Sequence, residues 1–205
     1  MSETIITIVD DDDAVRDSLA LLLNFRGFRC RSYASAEDCL AAWSPDWRGC
    51  LLLDLRMGGM DGLTLQQALA ERGSRLPVVF LTGHGDIAHA RAALKAGAVD
   101  FLEKPYTESA LLEAVREAVA RDARQHAVHS YSEEIAARMA RLSERERQVM
   151  DLAVAGKPNR EIAALLEISP RTVEVFKARM MEKMQARSLP ELVRMCLESG
   201  SKDWA

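Results

Sequence analysis

Three aspartates, a threonine and a lysine are the residues whose types and spacing suit chemistry. Asp10 and Asp11 open a run of four carboxylates directly after the β-branched segment Thr4–Val9. Asp54 ends the apolar run that starts at Cys50, Thr82 ends LPVVFLT, and Lys104 precedes Pro105 at the end of VDFLEKP. Carboxylates brought together repel unless a cation sits among them, and an all-oxygen ligand set favours Mg²⁺. Such an ion neutralises an approaching phosphoryl group, and one carboxylate can then act as nucleophile to give an acyl phosphate. The metal, the Lys104 ammonium and the Thr82 hydroxyl would supply one partner for each of the three phosphoryl oxygens. Taken singly, each residue reads equally well as a helix cap or a solvated loop residue. Their shared position at the ends of apolar runs is what points to phosphoryl transfer.

Such residues need a scaffold that gathers strand ends at one edge. Thr4–Val9, Gly27–Tyr33, Cys50–Asp54, Leu76–Thr82 and Val99–Pro105 read as strands. Between them lie helical patterns. The first carries Val15, Leu19, Leu22 and Leu23 on one face; Ser35 with Asp38 caps the second; the third runs from Gly62 to Arg72. Ile87–Ala96, closed by Gly97, is the fourth, and Thr107 caps a fifth bearing Leu111, Leu112, Val115 and Val119. This alternation predicts an α/β doubly wound, five-stranded parallel sheet with helices on both faces. All strand carboxyl ends then face the same edge.

The 205 residues, 48% of them apolar, support two domains with real cores. No stretch reaches the ~18 uninterrupted apolar residues of a membrane span, and no basic-then-apolar leader precedes Thr4, so a cytoplasmic location is expected. Cys30, Cys39, Cys50 and Cys196 lie singly and read as small hydrophobes. His84, His89, His126 and His129 also lack a partner at ligand spacing. Net charge is −4, yet residues 1–141 hold 16 basic and 21 acidic side chains while 142–205 hold 11 and 10. A locally basic surface in the second part is therefore compatible with an acidic whole.

Residues 121–141 are polar and helix-favouring, without proline or glycine, and read as an extension of the fifth helix into a partly helical, solvated linker. Ser143 with Glu146 then forms a capping box for a helix ending at Gly156. Asn159 caps a short helix, Ile168 and Ser169 make a tight turn, and Ser169 with Pro170 launches a longer helix. Ser188 with Glu191 forms a further capping box, for a last helix that ends at Gly200. An all-α unit of four helices containing a helix-turn-helix is predicted. In the helix from Pro170, Val173, Phe176, Met180 and Met184 form a core face, while Arg171, Glu174, Lys177, Ala178, Arg179 and Lys183 face outward. Five basic and two acidic residues between Pro170 and Arg187 make it the most basic helix in the chain. Small and charged outward residues after a tight turn suit the DNA major groove.

Four motifs in order, VDDD (Val9–Asp12), LLLDLRM (Leu51–Met57), LTGHGD (Leu81–Asp86) and AGAVDFLEKP (Ala96–Pro105), closely resemble the receiver domain of bacterial two-component response regulators. The resemblance implies a flavodoxin-like fold, with Asp54 phosphorylated by a sensor histidine kinase. It also implies Mg²⁺ held by Asp10, Asp11, Asp54 and the backbone carbonyl of Arg56. Thr82 and Phe101 match the switch pair, in which the hydroxyl turns toward the phosphoryl group and the ring rotates inward. Lys104 matches the phosphate-pairing lysine, and Lys104–Pro105 a peptide bond that is usually cis. One departure is Gly58, followed by Gly59, where proline commonly stands four residues after the phosphorylated aspartate; a more mobile loop is expected there. Haloacid-dehalogenase-type phosphatases share the strand-end aspartate, Mg²⁺, threonine and lysine. They carry a second carboxylate two residues after the nucleophile, where this chain has Arg56.

The segment Leu142–Met184 strongly resembles the LuxR-type helix-turn-helix, in its FixJ-like branch, and the match extends to about residue 200. It implies that Glu174, Val175 and Ala178 face base edges and that Arg171, Thr172 and Lys177 contact phosphates. Lys157, Asn159 and Arg160 would steady the turn and first helix on phosphates. In the last helix Leu189, Leu192, Val193 and Met195 would be partly interfacial, with core packing the competing role. The resulting expectation is a receiver domain (1–120), a helical linker (121–141) and a DNA-binding domain (142–205). Such a chain is not a metabolic enzyme, although it can shed its own phosphoryl group. Phosphorylated on Asp54, it would form a homodimer through the Ile87–Leu102 surface and bind double-stranded promoter DNA, with RNA polymerase as a further partner. Two rivals fit the same residues: a helix-turn-helix that serves protein contacts only, and a phosphate sink with little output.

Overall fold

The computed structural model describes residues 3–83 and 97–198. The chain folds as two compact units, Met1–His126 and Ala127–Ala205. In the first, β1 (Thr4–Val9), β2 (Arg29–Tyr33), β3 (Arg48–Asp54), β4 (Val78–Thr82) and β5 (Asp100–Glu103) form one sheet. Its order is β2-β1-β3-β4-β5 with every neighbouring pair parallel. The helices of this unit are α1 (Asp13–Phe25), α2 (Ala36–Ala42), α3 (Gly62–Glu71) and α4 (Glu108–Met139), the last of which continues beyond it. The helix expected over Ile87–Ala96 lies outside the described residues, as do His84 and His89.

A parallel sheet must be covered on both faces, and the alternation of strand side chains shows how. Ile6, Ile8, Cys50 and Leu52 meet Leu19 and Leu23 of α1 and Leu111, Leu112 and Val115 of α4. Val9, Leu51 and Leu53 point the opposite way, onto Ala36 and Cys39 of α2 and Leu65 and Leu69 of α3. Short polar side chains start the helices: Asp12 caps α1, Ser35 caps α2 and Asp61 caps α3. β2 starts two residues later than expected, because Gly27 (φ +86°) and Phe28 complete the turn that closes α1. The four cysteines are free thiols; burial pushes Cys30 up to about 11 and Cys39 up to about 12, as suits small core residues.

The polar stretch 121–141 proves less solvated than its composition suggests. α4 runs unbroken to Met139, and Asp122 within it is buried. The Asp122 carboxylate accepts from Arg48 Nε at 3.0 Å and from the Gly49 amide at 3.2 Å. Gly49 is required there: φ is +115°, and a Cβ would stand 2.1 Å from the Ile5 carbonyl oxygen. Farther along α4, Ile135 and Met139 are buried among residues of the second unit.

That second unit contains α5 (Glu144–Val154), α6 (Asn159–Leu165), α7 (Pro170–Met184) and α8 (Leu189–Glu198). Met150, Met180, Met184, Leu192 and Met195 pack with Ile135 and Met139. Val149, Ala153, Ile162, Ala163 and Val173 join α5 to the helix-turn-helix formed by α6 and α7. The capping box at Ser143 and Glu146 is complete. The one expected at Ser188 and Glu191 is half-formed: the Ser188 hydroxyl accepts from the Glu191 amide at 3.4 Å, but the Glu191 carboxylate accepts from the Arg187 amide at 2.8 Å instead. Asn159 is the first residue of α6 and Pro158 its N-cap, so the expected Asn159 cap is corrected. In α8, Leu192 and Met195 are buried in the core, so packing claims two of the four residues that also suited an interface, while Leu189 and Val193 are half-buried and Leu197 exposed. No helix of the described residues is long and apolar enough to cross a membrane.

Candidate functional site

The strand ends assemble at the carboxyl edge of the sheet. Asp10, one residue past β1, is buried, and its Oδ1 accepts from the Asp12 amide at 2.9 Å. Asp54 ends β3 and is also buried, with Oδ2 accepting from the Arg56 amide at 2.9 Å. Lys104 Nζ donates to Asp10 Oδ2 at 2.8 Å and to Asp54 Oδ1 at 2.7 Å. The lysine is aimed there by its backbone, whose amide extends the β4–β5 ladder to the Thr82 carbonyl at 2.7 Å; the Lys104–Pro105 bond that follows is cis. Thr82 is buried at the end of β4, with its hydroxyl donating to the Gly83 carbonyl at 3.2 Å. Phe101 pairs with Phe80 across β4 and β5 and lies half-buried against the α2–α3 side of the core.

The electrostatics follow from burial and from one ammonium shared by two acids. Burial pushes the Asp54 carboxyl above its ordinary value, against the hydrogen bond and charge of Lys104. Burial works against the charged Lys104 as well, but hydrogen bonds to Asp10 and Asp54 outweigh it and raise the ammonium's pKa. The Tyr106 phenol, which the sequence did not single out, is raised by burial and feels the charges of Lys104, Asp10 and Asp54. Only its place two residues past Lys104 could have signalled it.

The four consecutive carboxylates have four separate fates. Asp10 belongs to the buried cluster, Asp12 caps α1, and Asp13 pairs with Arg16. Asp11 is exposed, and its Oδ2 accepts from the Gly58 amide at 3.0 Å, across the loop after β3. Among the described residues no three ligands already stand around one metal position. The donor set nonetheless suits a hard divalent cation: two carboxylates converge on one cationic atom, and a third occupies the next position in the chain. The edge can thus hold positive charge between Asp10 and Asp54, offer Asp54 as a buried nucleophile, and present Lys104 and Thr82 to incoming anionic oxygens.

The second unit carries the other surface of interest. Arg171, Glu174, Val175 and Ala178 of α7 line one open depression. Their exposure follows from burial of Val173, Met180 and Met184 on the opposite face. Thr172 is tied to the cap, its hydroxyl 2.8 Å from that of Ser169. Lys177 is half-buried and donates to Asn159 Oδ1 at 3.4 Å, which links α7 to the start of α6. Arg160 is exposed, and Lys157 pairs with Glu161 one turn on. Lys183 departs from the outward face expected for it, donating at 2.6 Å to the buried Glu146.

The model of the response regulator receiver domain matches residues 6–116, and that of the luxR family of bacterial regulatory proteins matches residues 140–196. The chain belongs to the LuxR-family two-component response regulators. The transcriptional regulatory protein FixJ of Azorhizobium caulinodans is 49% identical over 193 residues, covering 94% of this chain and 92% of that one. FixJ of Rhizobium meliloti is 47% identical over 201 residues and 98% of each chain. Among solved structures, the response regulator StyR aligns with TM-score 0.88 at 37% identity, over 96% of this chain and 99% of that one. Full-length FixJ from B. japonicum aligns with TM-score 0.58 at 42% identity over 98% of both. This response regulator is thus a phosphorylatable, DNA-binding transcription regulator, and the dehalogenase-type alternative falls away.

Proposed function

We propose that Asp54 accepts a phosphoryl group from a sensor histidine kinase and that the phosphorylated chain dimerises, binds promoter DNA and controls transcription. In this scheme residues 1–120 receive the signal, 121–141 connect, and 142–205 read DNA in the cytoplasm. The observation that carries the proposal is the buried Asp54 joined through Lys104 to Asp10. A carboxylate so placed attacks phosphorus, the bond from phosphorus to the kinase's histidine nitrogen breaks, and the product is an acyl phosphate. Mg²⁺, held by Asp10, Asp11, Asp54 and the Arg56 carbonyl, would screen the phosphoryl charge as the nucleophile approaches. Lys104 exchanges its carboxylate partners for a phosphoryl oxygen, and the Thr82 hydroxyl, now turned to Gly83, reorients toward another. Phe101 then rotates inward, carrying the change to the Ile87–Leu102 surface. Hydrolysis of the acyl phosphate resets the chain.

Phosphorylation adds nearly two negative charges at Asp54. Moving a two-state switch from ~1% to ~99% active takes about 5.5 kcal/mol of differential stabilisation, which the phosphoryl contacts share with dimerisation and DNA binding. On DNA, Glu174, Val175 and Ala178 would reach base edges. Arg171, Thr172, Lys157, Asn159, Arg160 and Lys177 would bind phosphates, and RNA polymerase is the downstream partner. The test is light-scattering mass, with and without Mg²⁺ and beryllofluoride, for wild type and Asp54→Asn, paired with anisotropy on promoter DNA. A monomer that becomes a DNA-binding dimer only in wild type supports the proposal. Unchanged mass in both would break the link from Asp54 to output and favour a phosphate sink.

A further inference from the structure

The loop after β3 is tied by two of its own amides to carboxylates on other elements. Gly58 N–H donates to Asp11 Oδ2 at 3.0 Å, and Met60 N–H donates to Glu37 Oε1, at the start of α2, at 2.9 Å. Gly59 lies between them with φ +89°, a conformation suited to glycine. Gly58 itself is not in the left-handed region, and a Cβ there would meet only Asp11 Oδ2, at an ordinary 3.9 Å. Position 58 therefore accepts side chains; what a proline there would remove is the N–H.

The Asp10–Lys104–Asp54 cluster closes without Asp11. The charges that bear on Asp54 and Lys104 are each other's and Asp10's. Asp11 is instead engaged by the loop, although it is adjacent to Asp10.

We propose that the Gly58 amide is a latch on Asp11. It holds this carboxylate aside from the Asp10–Asp54 pair and is released when a divalent cation is bound. The proposal presupposes the Mg²⁺ site of Asp10, Asp11 and Asp54 inferred above and adds to it a positioning residue that acts through Asp11. Binding then carries the cost of one charge-assisted hydrogen bond at the surface, so affinity is set lower than the three carboxylates alone would give. A proline at 58 has no such bond to break.

Calorimetric titration of the full chain with Mg²⁺ tests this in wild type, Gly58→Pro and Gly58→Ala. The expected result is binding about fivefold tighter in Gly58→Pro and wild-type affinity in Gly58→Ala, the conservative variant that keeps the amide. Wild-type or weaker binding in Gly58→Pro, with Gly58→Ala unchanged, overturns the latch while leaving the Mg²⁺ site intact. If wild type itself binds no Mg²⁺ and Asp11→Ala changes nothing, the site fails and the latch with it. A second readout needs no proline: the Gly58 amide resonance should shift when Mg²⁺ is added to wild type, and should already be displaced in Asp11→Ala. A resonance indifferent to both changes overturns the proposal.

Discussion

Replacing Lys104 with methionine removes the one ammonium between two carboxylates and should expose how much it contributes. Its Nζ stands 2.8 Å from Asp10 Oδ2 and 2.7 Å from Asp54 Oδ1. The two oxygens are therefore within about 5.5 Å of each other, where unit charges repel by ~3 kcal/mol at an effective dielectric of ~20 and by under ~1 kcal/mol in water. Asp10 and Asp54 side chains are 2% and 10% exposed, but Lys104 is 30% exposed, so an intermediate loss of about 2 kcal/mol is expected. At about 4 °C per kcal/mol for a unit of this size, the first unit should melt about 8 °C lower. The pH dependence has a definite sign. Burial already holds the Asp54 carboxyl above its ordinary value. Its ionised form therefore costs stability at neutral pH, and that stability returns as pH falls through the raised folded pKa. Loss of Lys104, which lowers that pKa, moves it further up. Lys104's own raised pKa keeps it charged throughout the neutral range, so its titration adds nothing there. The deficit should be large near pH ~8, shrink toward pH ~5, and shrink also with Mg²⁺, which replaces the missing charge. Scanning calorimetry of the full chain at both pH values, in EDTA and in Mg²⁺, measures all of this. A first transition equal to wild type at high pH in EDTA, or a deficit that grows on acidification, would refute Lys104 as the counter-charge.

Glu146→Ala should cost the second unit about 1–2 kcal/mol, from the lost capping box and the half-exposed pair with Lys183, read as a lower second melting transition. Lys183 and the Ser143 amide hold the Glu146 carboxyl below its ordinary range, so its contribution is present above the unfolded pKa and lost as pH falls through the lower folded one. Wild-type melting that gained stability on acidification through Glu146 would contradict this. Gly49→Ala should leave no folded first unit, since neither the Ile5 carbonyl 2.1 Å away nor φ +115° tolerates a Cβ; soluble protein with wild-type circular dichroism would disprove the clash. Lys177→Ala should weaken DNA binding equally across sequences and flatten the salt dependence by about one phosphate per protomer, checked by anisotropy over a salt series. A sequence-selective loss would move Lys177 to the bases.

Strand composition made the fold legible. Continuous apolar runs such as LLLD, ended by a polar residue, belong to a sheet buried on both faces, and their alternation with helices implies the parallel pairing that is observed. The convergence of Asp10, Asp54 and Lys104 was legible for the same reason, because strand ends share an edge. Buried polar contacts between distant elements were not. Asp122 sits in a stretch that composition marks as solvated, yet it accepts hydrogen bonds from Arg48 and Gly49, more than seventy positions earlier. No periodicity within α4 encodes that partner. Lys183 was misplaced likewise: helical spacing puts it outward, but a long flexible side chain reaches Glu146, whose capping role is local and readable while its ion pair is not.

Gly58 shows what residue type alone leaves out of a functional loop. Glycine in place of proline predicts slack, since it relaxes backbone restraint and adds conformations to be lost on ordering. That accounting omits the hydrogen-bond donor that proline lacks. Here the donor is used: the amide meets Asp11 at 3.0 Å, two positions from a second tie between Met60 and Glu37. A substitution that loosens the chain covalently thus fastens it non-covalently, and to one of the acids expected to hold the metal. If the tie competes with Mg²⁺, a glycine at 58 lowers metal occupancy at a given ion concentration and with it the rate at which Asp54 is phosphorylated. The chemistry at Asp54 is untouched. Response regulators that differ at this position would then share a reaction and differ in the Mg²⁺ level at which it runs, a difference that follows from one backbone N–H.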